Sequence, residues 1–135
     1  GESPAEEEFA ALVDPGEGPV ALLIDDAEAW RDVQCRDWLR QLIRSASGRR
    51  RAVVIAGEIS SVAMGFSGWQ GEGKKNRRGA LLSPPTLSAG DLVGVRLSRA
   101  NLAERVVPGA ARVHLGDGTL QTVQVPLLEP AGAGE

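Results

Sequence analysis

The sequence predicts an α/β fold built around a buried sheet and ending in a β-hairpin, and three observations carry that prediction. Val20-Ala21-Leu22-Leu23-Ile24 is an unbroken apolar run closed by two carboxylates, Asp25 and Asp26. A strand covered on both faces needs continuous aliphatics rather than alternation, so this run reads as a strand of a parallel sheet. An amphipathic segment follows, then a second apolar run at Arg51 to Gly57, the order expected of strand, helix, strand. Near the end, Gly116-Asp117-Gly118 sits between Ala111 to Leu115 and Thr119 to Val125, a hairpin signal.

Each element has its own local reason. Residues 1–18 are acidic and rich in Pro, Gly and Ala, with a helical patch at Pro4 to Leu12, and read as a flexible acidic lead-in. Glu28 to Ala46 places Cys35, Trp38, Leu39, Leu42, Ile43 and Ala46 at i, i+3, i+4, i+7 and i+8, one face of a helix that packs on the sheet. Gly48 supplies a C-cap. A short helix is predicted at Ile59 to Phe66. Residues 65–79 contain five glycines and four basic side chains, so a mobile loop is expected there. A strand at Ala80 to Ser83 ends at Pro84-Pro85, and Ala89-Gly90-Asp91 reads as a turn before Leu92 to Leu97. Residues 128–135 read as a tail.

Composition excludes several chemistries. At 135 residues and 42% hydrophobic, the chain can bury one core. No apolar run approaches the roughly 20 residues that cross a bilayer, and no signal segment opens the chain. One Cys and one His cannot build a Cys/His zinc site. Cys35, on the apolar helix face, reads as a buried thiol, and His114 as a surface residue of the hairpin. No serine lies in a nucleophile-elbow motif. Charge is uneven: residues 1–30 hold nine acids and no bases, whereas residues 31–112 hold all fifteen Lys and Arg against six acids. That middle segment suits an acidic protein partner, nucleic acid or phosphates, and equally a solvated basic surface.

The acidic pair carries the sharpest functional reading. Carboxylates at the C-terminal end of a parallel strand lie where open sheets bind ligands, and Val20 to Asp26 reads as a Walker B strand. There the first carboxylate, Asp25, would order Mg²⁺, and the second, Asp26, would polarise an attacking water. Beside that reading stands a plainer one, a strand ending in a solvated acidic turn.

Downstream, Trp69 to Pro84 contains Arg77-Arg78-Gly79-Ala80-Leu81-Leu82-Ser83-Pro84, followed by Gly90-Asp91-Leu92-Val93-Gly94-Val95-Arg96-Leu97-Ser98-Arg99, Pro108-Gly109 and Val123-Gln124-Val125. In that order the chain resembles the C-terminal half of the FtsK/SpoIIIE family of P-loop ATPases, most closely a degenerate ATPase module of EccC-type proteins of type VII secretion. The resemblance covers residues 20 to 126. It implies a RecA-like sheet with flanking helices, incomplete because the phosphate-loop half is missing, with residues 19–127 forming the C-terminal half of the domain. The sequence departs from the family pattern at Arg78, Ser98, Ala110 and Ala111. No Gly-x-x-x-x-Gly-Lys-Ser/Thr occurs either, and Gly71 to Lys75 has neither the spacing nor the hydroxyl.

The resemblance further implies ATP and Mg²⁺ as cofactors of the complete domain, with Asp25 as the Mg²⁺-binding and cofactor-binding residue and no ATPase activity from this chain alone. It makes Arg77 a candidate arginine finger acting across a subunit boundary, with Arg78 and Arg99 as further candidates. Implied partners are the missing Walker A half or neighbouring ATPase modules, in an oligomer of the parent, and a secreted WXG-type protein substrate. The implied location is cytoplasmic, held at the membrane by a parent's anchor. A DNA translocase and a catalytically silent docking domain are the alternatives.

Overall fold

The computed structural model describes residues 6–13, 18–64, 68–105, 107–126 and 128–132, and the chain divides into two compact units, Gly1–Asn76 and Arg77–Glu135. It is a mixed α/β structure with a parallel two-stranded sheet in the first unit and an antiparallel three-stranded sheet in the second. Among the described residues no helix is long and apolar enough to cross a membrane.

In the first unit, β1 (Val20–Ile24) pairs in parallel with β2 (Arg51–Ile55), Val20 beside Arg51 and Ile24 beside Ile55. The chain between them forms a 3₁₀ turn at Ala27–Trp30 and then α2 (Arg36–Ser45). The expected helix from Glu28 therefore starts eight residues late. Asp26 takes a left-handed conformation, φ 49°, and the apolar helical spacing begins only at Cys35. Helix α2 buries Leu39, Leu42 and Ile43, and the thiol of Cys35 is fully buried just before it. Gly48 is not the cap: α2 runs into a 3₁₀ turn, Ala46–Arg49, and the left-handed residue is Arg50. Within residues 1–18 the structure describes α1 (Glu6–Val13), whose Phe9 and Val13 are buried in the same core, Phe9 packing edge-on against Trp38 at 5.4 Å between ring centroids.

One expectation about the sheet fails. The aliphatic run of β1 reads as buried on both faces, but Leu23 is 73% exposed and Val54, its neighbour on β2, 53% exposed. Val20, Leu22 and Ile24 face the core, and no described element of the first unit covers the other side.

The loop expected to be mobile is also partly a helix. Helix α3 (Ile59–Met64) is followed by α4 (Trp69–Lys74), and the expected continuation of α3 to Phe66 lies outside the described residues. Two glycines inside α4 cost about 1 kcal/mol each relative to alanine, yet Trp69 is only 1% exposed, and burial of a side chain that size outweighs that cost. Gly73 has a packing reason as well, because a Cβ there would stand 2.7 Å from Ile55 Cδ1. Gly73 permits that close approach.

In the second unit β3 (Gly79–Leu82), β4 (Ala110–His114) and β5 (Leu120–Gln124) form an antiparallel meander in the order β3-β4-β5, with the hairpin where the sequence places it. Leu92 to Leu97 form no strand. The chain instead forms a 3₁₀ turn at Leu87–Leu92 and folds back, the Gly90 carbonyl accepting from Val93 N–H at 3.1 Å and Val95 N–H at 3.0 Å. Gly90 lies so close to Val95 that a Cβ would sit 2.3 Å from its carbonyl oxygen, and Gly94 adopts φ 75°. Helix α5 (Arg99–Ala103), not expected from sequence, begins in a reciprocal capping box between Ser98 and Asn101.

Candidate functional site

Asp25 and Asp26 follow directly on β1, at the C-terminal end of the parallel pair, and both are exposed. Ile24 is buried, which fixes the point where the chain leaves the core. The end of the sheet is closed by Ala56 N–H donating to Ile24 O at 2.8 Å and Ala27 N–H donating to Ala56 O at 3.0 Å. Between these bonds the chain must reverse, and Asp26 takes up the reversal in the left-handed region, where Asp and Asn are the most tolerant non-glycine residues. Its own N–H donates to Asp25 Oδ1 at 3.0 Å.

Two side chains from α4 grip the turn that carries the acidic pair. Trp69 Nε1–H donates to Trp30 O at 3.0 Å, and Gln70 Nε2–H donates to Ala27 O at 2.5 Å. Gln70 is 3% exposed, and its other atom, Oε1, has no hydrogen-bond partner among the described residues. Neither residue carries a functional signal in sequence beyond an aromatic inside a glycine-rich stretch.

Further carboxylates rim the same end of the sheet but are engaged. Glu28 Oε2 accepts from Glu58 N–H at 3.2 Å, across a Gly57 whose absent Cβ would stand 2.5 Å from that oxygen. Glu58 accepts from the N–H groups and hydroxyls of Ser60 and Ser61 at 2.5 to 3.1 Å, capping α3. Those hydroxyl and amide donors stabilise the anion and hold its pKa down at about 2. An open groove lined by Glu28, Arg31, Asp32 and Ser61 lies beside this rim.

Among the described residues no group of three or more His, Cys, Asp or Glu side chains is placed to hold a metal. Asp25 and Asp26 offer hard oxygen ligands of the kind Mg²⁺ takes when water and substrate phosphates complete its shell. Glu28 and Glu58 already serve backbone and hydroxyl donors.

The three candidate arginines belong to the second unit. Arg77 is exposed and in the left-handed region, φ 51°, with its stem against Gly94, where a Cβ would fall 2.6 Å from Arg77 Cβ and Cγ. Arg78 is also exposed and lies along Gly116, its Nε 3.0 Å from a Cβ built there. Arg99 is exposed at the first position of α5. The Arg77 and Arg78 stems rest on two glycine turns.

His114 is not the surface residue the alternation predicts. It is 2% exposed, its Nδ1 donates to Val93 O at 2.7 Å, and its Nε2 accepts from Gly118 N–H at 2.9 Å. These bonds assign the neutral Nδ1–H tautomer and tie the Gly90–Val95 fold-back to the hairpin turn. Arg112, 7% exposed, pairs with Glu104 and Thr122 Oγ1. Both are structural anchors of the second unit. Comparison of the chain with protein-family models, with curated proteins and with solved structures finds no match.

Proposed function

We propose that the chain is part of an FtsK/SpoIIIE-like ATPase module with a RecA-like sheet, of the EccC type, working in recognition or movement of secreted protein substrates. The observation that carries this reading is the acidic pair at the C-terminal end of two parallel strands joined through a helix, the position where such sheets hold ligands. In the complete domain Asp25 orders Mg²⁺ on the nucleotide phosphates and Asp26 polarises water. Trp69 and Gln70 hold the turn from behind, so the carboxylates are set by the core and not by solvent. Arg77 serves a neighbouring subunit's nucleotide. Without a phosphate cradle the chain alone holds only one part of the nucleotide site.

A test separates this from the alternatives. A labelled peptide carrying a C-terminal export signal of a small WXG-type protein, and a labelled duplex, are titrated against the chain at two salt concentrations. Helix-in-groove contact predicts peptide binding that survives added salt, because hydrophobic anchors supply its affinity. Duplex binding that falls log-linearly with salt, with no peptide binding, marks a DNA translocase and overturns the secretion reading. Binding of neither favours the silent docking domain.

A further inference from the structure

We propose that the uncovered face of the β1–β2 sheet seats a second copy of this chain, the two sheets stacked with their strands antiparallel across a two-fold axis. The proposal is independent of the nucleotide reading. Parallel strands are normally covered on both faces, and here one face presents Ala21, Leu23, Ala52 and Val54 to solvent.

Size and charge on that face are complementary to their own inversion. The register sets Ala21 beside Ala52 and Leu23 beside Val54, so a row of small side chains lies next to a row of large ones. Adjacent rows are about 7 Å apart along the strands, and stacked sheets about 10 Å apart. Turning a second copy end for end lays its large row over the small row of the first, filling both. The same operation treats the charges alike. Asp25, next after Leu23 in the alternation, marks the C-terminal end of the face, and Arg50, immediately before β2, marks its N-terminal end; both are exposed. Inversion brings each Asp25 towards the Arg50 end of the other copy. A parallel stacking does the opposite, setting Leu23 against Val54 and bringing the two Asp25 residues together. An isologous antiparallel contact is therefore the favoured one.

Four side chains per copy bury far less than the roughly 1,600 Å² of a standard interface, so the dimer is weak. Sedimentation of the 135-residue chain from about 10 µM to 1 mM, the range in which exposed apolar surface and strand edges associate, should show a monomer–dimer equilibrium. Leu23→Glu and Val54→Lys, each at an exposed position, should give monomers with unchanged circular dichroism. Asp25→Lys alone and Arg50→Asp alone should each weaken dimerisation about fivefold, and the double variant should restore it. Aspartate is chosen at position 50 because it tolerates the left-handed φ of 57°. A monomer throughout the range, a dimer indifferent to Leu23→Glu, or a double variant no better than its parents overturns the proposal.

Discussion

Each unit of the molecule anchors a turn with one nearly inaccessible polar side chain, and the two anchors differ in how completely they are satisfied. In the second unit His114 uses both ring nitrogens, one donating to Val93 O and one accepting from Gly118 N–H. In the first, Gln70 donates to Ala27 O while its Oε1 finds no partner among the described residues. A buried polar group left unpaired costs roughly 1–3 kcal/mol, so the first unit tolerates a penalty the second avoids. Such exceptions concentrate where the surrounding fold over-determines a geometry, and this one sits directly behind the turn bearing Asp25 and Asp26. The comparison separates an anchor that stabilises from an anchor that positions.

Breaking the first unit's neighbouring anchor should have the largest effect. Trp69→Ala removes a side chain 1% exposed together with its bond to Trp30 O, and should cost about 3–5 kcal/mol in denaturant unfolding of the first unit. His114→Phe keeps the ring volume but strands buried Val93 O, at roughly 1–3 kcal/mol, while Gly118 N–H, in an exposed turn, is left to solvent. Gln70→Met sharpens the contrast: it leaves Ala27 O without its donor but also removes the orphaned Oε1, and the two effects offset each other. Its net cost should stay below about 1.5 kcal/mol, the upper end for one ordinary hydrogen bond, and a loss equal to that of His114→Phe would erase the distinction.

The smallest effect is electrostatic and confined to the first unit. Glu58 is held at about 2 by hydrogen bonds from Ser60 and Ser61, and Glu72 at about 2 by hydrogen bonds from Arg44 and Lys75. A carboxylate whose folded pKa lies below its unfolded value contributes stability that is present above the unfolded pKa, near 4.5, and is lost as pH falls towards 2. Acid titration of stability should decline across that window, and Glu58→Gln should flatten part of the decline. A profile unchanged by Glu58→Gln would show that the cap of α3 adds nothing.

The parts of the fold legible in sequence are those written as periodicity. The β1 and β2 runs, the apolar face of α2 and the Gly116-Asp117-Gly118 hairpin all signal through spacing, and the acidic pair was legible because it closes an aliphatic run. Glycine was the misleading residue. Gly73 and Gly90 exist to let backbone meet a neighbour, and a single sequence does not separate that use from flexibility. His114 was misplaced because β4 does not alternate: Ala111, Arg112 and His114 are all buried, while Leu115, just beyond the strand, is exposed. Trp69 and Gln70 act over some forty residues of chain, on the carbonyls of Trp30 and Ala27, a distance at which local pattern carries no signal.

The central claim is that Asp25 and Asp26 are the carboxylate half of a nucleotide site whose phosphate cradle this chain lacks. Phosphate release from Mg-ATP, measured for the chain and for Asp25→Ala and Asp26→Asn, tests it most directly. The account predicts no turnover above buffer for any of the three. Turnover by the unaltered chain that either substitution abolishes would mean that a complete phosphate site lies within these 135 residues, and would contradict the claim.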